Sequence, residues 1–151
     1  MTRWPRGEAE IEELVRSGQL QQVTGAQMDG QRFLDKAHRV LETARSITDS
    51  DPESAYVLAY DAARHAAVAL LAQQGLRATS KGGHYALDLT LRAQFGPGFR
   101  TFSALRRRRN ELECPETPTE TIDTDEAEQA VADAAALIDA AAQLLPTVGR
   151  W

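Results

Sequence analysis

DPESAYVLAYDAARHAAVALLAQQG, residues 51–75, is the stretch that decides the fold. Asp51-Pro52-Glu53 is a helix start, because an Asp side chain can cap free amides and Pro at the first helical position gives up no hydrogen bond. From there to about Gly75, Tyr56, Ala59, Tyr60, Ala63, Ala67, Leu70 and Leu71 share one apolar face. Leu58, Ala62, Ala66 and Ala69 lie on its other sides. A helix apolar nearly all round is the buried centre of a bundle. Its polar interruptions, Asp61, Arg64 and His65, are spaced i, i+3 and i+4, so they can neutralise one another. The Ala-rich faces let neighbouring helices approach closely.

Working outward, the spacing of Phe33, Ala37, Val40/Leu41, Ala44 and Ile47 predicts an amphipathic helix from Met28 to near Ser50. Lys36, Arg39, Glu42 and Arg45 fall largely on its wet side. Residues 8–17 read as a short helix, with Ile11, Leu14 and Val15 on one side and Gly18 ending it. With Trp4 it forms an N-terminal strap over residues 1–24. Downstream, Thr79-Ser80-Lys81-Gly82-Gly83 is a turn, and a helix starts close to His84 and carries Tyr85, Leu87, Leu89 and Leu91. Gly96-Pro97-Gly98 breaks it, and a basic helix follows over about Phe99 to Cys114. Residues 115–121, with two prolines among threonines and glutamates, read as an exposed linker. Asp123 and Glu126 open the last helix as a capping-box variant. Ala127, Ala130, Val131, Ala134, Leu137, Ile138, Ala141 and Leu144/Leu145 supply its buried stripe, and Pro146 ends it. No internal repeat and no strand pattern is visible. The pattern predicts an all-α, up-and-down bundle of four main helices plus short extra helices over residues 25–146, with 147–151 as a tail.

The chain has 151 residues, 42% of them hydrophobic, which suits one domain with a real core. Only 6% are aromatic, and the Ala-rich remainder favours helices over strands. A net charge of −5 argues against a general nucleic-acid coat protein, but the average hides an asymmetry. Arg106 to Arg109 are consecutive, whereas no Lys or Arg occurs between Asn110 and Gly149. One Cys cannot form an internal disulfide, and three scattered His show no metal spacing. A reducing, cytoplasmic setting is expected, with no structural metal and no cofactor. Neither a signal peptide nor a membrane span is legible.

Within the basic helix, Phe102, Leu105, Arg109 and Leu112 share a face at i, i+3, i+7 and i+10. Arg106 and Glu113 fall at the edge of that stripe, while Arg107 and Glu111 point away. Arg109 thus stands in an apolar stripe. A guanidinium there must find a carboxylate, a phosphate or several acceptors, because it cannot shed its charge.

The order of features, a Tyr- and Ala-rich central helix, a Gly-Gly-His turn, another helix and then Arg-Asn-x-x-x-Cys-Pro near a helix end, resembles the HEPN domain family. The residues that carry the resemblance are Tyr60-Asp61-Ala62-Ala63-Arg64, Gly75-Leu76-Arg77, Gly83-His84 and above all residues 108–115, RRNELECP. It spans about Met28 to Leu145. Many members of that family are metal-independent endoribonucleases, whose Arg, polar residue and His motif is duplicated across a dimer to make one cleft. The resemblance implies a bacterial homodimer acting on RNA, with Arg109 as the motif Arg, Asn110 as the polar residue and Cys114 in the place of the catalytic His. Arg106, Arg108, His84 and Arg64 would serve as substrate-binding residues around it. It further implies a toxin–antitoxin or defence-system component with a nucleotidyltransferase-type partner. In some such pairs the toxin is silenced on a Tyr just after the motif. Here Glu116 stands two places beyond Cys114 and no Tyr follows, so the resemblance does not extend to that regulation.

Metal-free RNA cleavage needs a group to move the 2′-hydroxyl or leaving-group proton, and a cation for the phosphorane charge. Arg109 can supply the cation by bidentate contact. Cys114 is a poor proton carrier, since a thiol with pKa near ~8.5 is mostly protonated at neutral pH. A weakened or inactive cleft is therefore expected, unless His84 or His65 is delivered to it. Structural readings stand beside each of these. Arg109 can pair with Glu113, Cys114 can be an ordinary helix-end residue, His84 can start or pack a helix, and His65 can pair with Asp61. Tyr56 and Tyr60 fit the core better than a stacking platform. On that side the chain is a non-catalytic helical module for a protein or nucleotide partner.

Overall fold

A computed structural model describes residues 6–113 and 121–151, and the helices from Pro52 and Thr124 begin at the Asp51 and Asp123 caps the sequence places, while the helix predicted from Met28 begins at Gly30. The described residues form an all-α helical bundle: α1 (Glu8–Arg16), α2 (Gly30–Ser46), α3 (Pro52–Gln73), α4 (Gly83–Phe95), α5 (Arg100–Glu113) and α6 (Thr124–Leu144). The carboxylates of Asp29, Asp51 and Asp123 accept from the backbone amides of Arg32, Ser54 and Glu126 at 3.3, 3.2 and 2.8 Å, capping α2, α3 and α6. Short 3-10 turns over Gly25–Met28 and Gly96–Phe99 lead into α2 and α5. Among the described residues no helix is long and apolar enough to cross a membrane.

The central helix is α3. Its Tyr56, Ala59, Tyr60, Ala63, Ala67, Leu70 and Leu71 are buried, as are Ala62, Ala66 and Ala69 on its other sides. It packs most extensively against α2 and α6, and it also touches α4 and α5. Leu34, Ala37, Leu41 and Ala44 face it from α2, and Ala130, Ala134, Leu137, Ile138 and Ala141 fill the α6 side of the core. The nearly all-round apolar pattern thus becomes burial on most of the helix, while Val57, Leu58, Asp61, Arg64 and Val68 form a half-buried stripe along it.

The strap is tied down by a feature with no strand signal in the sequence. Strands β1 (Leu20–Gln22) and β2 (Leu76–Ala78) pair antiparallel, with Leu20 opposite Ala78 and Gln22 opposite Leu76. Three residues per strand are too few to show alternation, so the expectation of no strands is corrected here. Trp4, assigned to the same strap, lies outside the described residues. Gly75, at φ +80°, makes the reversal from α3 into β2, a conformation open to glycine. The chain end also packs. Val148 is fully buried, and the Trp151 amide donates to the Gln74 carbonyl at 2.8 Å.

At Gly30 the start of α2 lies directly against α3. A Cβ built there would lie 2.5 Å from the Ala69 carbonyl oxygen and 2.8 Å from Leu145 Cδ1. The first of these is helix backbone and has no rotamer to yield. Gly30→Ala should therefore destabilise the bundle by roughly 1–3 kcal/mol, despite the better helix propensity of Ala. A lower urea midpoint at unchanged slope is the expected reading, and an unchanged or raised midpoint would contradict the close approach.

Candidate functional site

Tyr60, half-way along α3, is the hub to which three helices deliver polar groups. Its ring is 1% exposed and packs on Phe102 of α5 at 5.5 Å between centroids. Its hydroxyl meets Nδ1 of His84, in the first turn of α4, at 2.8 Å. The Arg109 guanidinium, from α5, lies over the same ring with its central carbon 5.8 Å from the centroid. Arg64 sits one turn further along α3, and its charge, like that of Arg109, acts on both Tyr60 and His84. The apolar stripe of α5 explains the arrangement. Phe102, Leu105 and Leu112 are buried, so Arg109, on their face, is turned inward toward α3.

The charge states follow from burial. Desolvation pushes the Tyr60 hydroxyl up to about 12, so it keeps its proton. His84 is pushed below its ordinary value by burial, then by the Arg64 and Arg109 charges, which outweigh the opposing Asp61 and Glu113. When the Tyr60 hydroxyl donates to Nδ1, a neutral His84 carries its own proton on Nε2. It then offers a donor to an incoming acceptor. Asp61 is held well below the carboxylate range by His65, whose Nε2 is 3.6 Å away, and by Arg64, which donates from Nε and Nη2 at 2.9 and 2.7 Å.

Arg109 itself pairs with Glu113, Nη1 to Oε2 at 2.6 Å, one turn on. Its Nε is buried with no hydrogen-bond partner among the described residues. The rest of the arginine run disperses. Arg106 turns to α4, where its Nε reaches Asp88 Oδ2 at 3.0 Å and its guanidinium covers Tyr85. Arg108 turns to α6, donating to Glu126 at 2.8 Å, to Glu111 at 2.9 Å and to the Thr121 carbonyl at 3.2 Å. Those carboxylates, Glu126 first, raise its pKa further. Arg107 and Asn110 are exposed. The structure thus brings Arg109, His84 and Arg64 together around Tyr60 and ties Arg106 and Arg108 to carboxylates elsewhere. Cys114 and the linker of residues 115–120 lie outside the described residues.

Two residues central to this geometry are not picked out by sequence. Tyr60 reads as core, and it is both core and site. Asp88 gives only a local i, i+4 hint toward Arg92, while its bonds to Arg106 and Ser103 are tertiary.

His84 makes a pH prediction. An unfolded His titrates near ~6.5, and the folded value is lower, so the unfolded chain binds more protons between the two. Its contribution to stability is whole above ~6.5, falls as pH drops through that value, and levels off below the folded pKa. The loss of stability between about pH 7.5 and about pH 5.5 should be smaller in His84→Gln than in the parent. Proton NMR should show the His84 pKa rising in Arg109→Ala, where one repelling cation is gone; a downward movement would contradict the cluster.

In comparisons with known proteins, no family model, no curated protein and no solved structure matches this chain.

Proposed function

We propose that the chain is an HEPN-like protein that acts on or binds RNA as a homodimer, with the cluster around Tyr60 at the phosphate backbone. The observation that carries the reading is the convergence of Arg64, His84 and Arg109 from three helices on one buried tyrosine. Two guanidiniums and an imidazole N–H are donors of the kind that hold a phosphodiester. Asn110, exposed on α5 beside Arg109, adds an amide. The motif of residues 108–115 supports the dimeric arrangement, in which two copies of α5 would pool their cations. Membership of a toxin–antitoxin or defence system, with a nucleotidyltransferase-type partner, belongs to the same proposal.

Cleavage is weak or absent on this reading. With the Tyr60 hydroxyl donating to Nδ1, His84 presents a proton where a general base needs a lone pair, and Cys114 stands at the motif His. The Arg109–Glu113 pair favours a second reading, a non-catalytic helical module for a protein or nucleotide partner, in which Arg109 is structural.

The test is an RNA-cleavage assay in EDTA on the parent, Arg109→Ala and Cys114→His. A silent parent and a cutting Cys114→His would support an intact, disarmed cleft. A cutting parent with a silent Arg109→Ala would support a working ribonuclease with another proton carrier. Silence in all three, with no RNA bound by any folded protein, would overturn the RNA reading in favour of the interaction module.

A further inference from the structure

A cavity beside His84 shares Arg64 and His84 with the Tyr60 cluster but adds Arg32 and Arg77, which the RNA reading does not use. It measures about 310 Å³ and lies where the start of α2, the second half of α3, β2 and the first turn of α4 meet. That is the small end of the range for ligand pockets. Its walls are aliphatic, with Val68 and Leu71 from α3, Leu76 from β2 and Leu87 from α4. Three arginines, Arg32, Arg64 and Arg77, line it together with His84, and no Asp or Glu does, in a chain whose net charge is −5.

The arginines differ in how far they are already neutralised. Arg64 is bound to Asp61. Arg32 and Arg77 are exposed, and among the described residues no carboxylate pairs with either. The Arg32 guanidinium is stacked over the neighbouring Phe33 ring, 4.8 Å from its centroid, which holds it beside the cavity. An apolar chamber rimmed by unpaired guanidiniums fits a ligand with one anionic end and a greasy body. Polar partners for the edges of a nucleobase are scarce, Gln27 and Thr79 being the amide and hydroxyl side chains on the wall.

We infer that this cavity is a binding site for a small amphiphilic anion, a carboxylate or phosphate monoester bearing an aliphatic or aryl body, with Arg32 and Arg77 holding the charged end. The body lies against Val68, Leu71 and Leu87. Its charged end rests on Arg32 and Arg77, which the RNA reading does not use, and its test uses no RNA.

The experiment is calorimetric titration of the full chain with hexanoate, hexyl phosphate, hexanol, hexylamine, inorganic phosphate and adenosine monophosphate. Hexanoate or hexyl phosphate should bind at least about tenfold tighter than hexanol, hexylamine and inorganic phosphate, reflecting one charge-assisted contact added to apolar burial. Which of the two binds better separates a carboxylate from a phosphate-ester ligand. Arg32→Gln/Arg77→Gln, altering two exposed side chains, should fold normally and weaken that binding by about tenfold or more. Val68→Trp should abolish it by filling the chamber; should that variant not fold, the arginine pair decides. Equal binding of hexanol and hexanoate would overturn the anionic half, and equal binding of inorganic and hexyl phosphate the apolar half. Preference for adenosine monophosphate would make it a nucleotide site instead. No binding of either anion, or full affinity in the double variant, would overturn the proposal outright.

Discussion

Arg109→Ala should weaken single-stranded RNA binding by about ten- to a hundredfold, the 1.5–3 kcal/mol of a hydrogen bond to a charged group. The same substitution should lower stability by less than about 1 kcal/mol. The reason is the exposure of its ion pair. The Arg109 side chain is 23% exposed and that of Glu113 is 52% exposed, so the pair is largely screened. What is removed inside is a cation over the Tyr60 ring and an Nε that has no hydrogen-bond partner among the described residues. A large functional loss with a small stability loss separates a phosphate-holding Arg109 from a structural one. If Arg109→Ala instead unfolds the protein with an RNA affinity unchanged in the folded fraction, the arginine belongs to the scaffold. Fluorescence anisotropy and urea unfolding of the same preparations make both readings.

Asp88→Ala should be among the most damaging single changes in the bundle. Asp88 is 1% exposed, accepts from the Ser103 hydroxyl and from Arg106 at 3.0 Å, and has Arg92 at 3.5 Å. Removing it leaves Arg106, 17% exposed, without the carboxylate that offsets its desolvation. The expected loss is about 3 kcal/mol, the low end for a broken buried pair because Arg106 keeps some access to water. For a chain of this size that corresponds to a fall in Tm of roughly 6–12 °C. Asp88→Leu with Arg106→Met, which removes both charges, should recover part of the loss. A loss under about 0.5 kcal/mol in Asp88→Ala would mean that Arg106 reaches solvent freely.

Sequence reading stops at residues such as these. The caps at Asp51 and Asp123, the burial of most of α3 and the inward turn of Arg109 are set by spacings within one helix, and period 3.6 makes them legible. The pairing of Asp61, Arg64 and His65 is legible for the same reason. Asp88 with Arg106, Tyr60 with His84, and β1 with β2 join positions 18, 24 and about 55 residues apart, which no local period encodes. The arginine run illustrates both. Its members occupy consecutive positions, so at about 100° per residue they must diverge, and Arg106 and Arg108 turn to different helices. Which carboxylate receives each is decided by tertiary packing. Arg64 and His84 are placed beside Arg109 in the sequence only as what the resemblance implies, while Tyr60, which organises the three, is hidden among core aromatics.

The most direct measurement is the salt dependence of single-stranded RNA binding by the parent and by Arg64→Ala/Arg109→Ala, followed by anisotropy of labelled RNA. The RNA reading predicts a linear fall of log affinity with log salt in the parent, and a slope shallower by roughly 0.7 for each phosphate that the variant no longer neutralises. Parent and variant with the same slope and affinity, both folded, would contradict a phosphate site at the Tyr60 cluster.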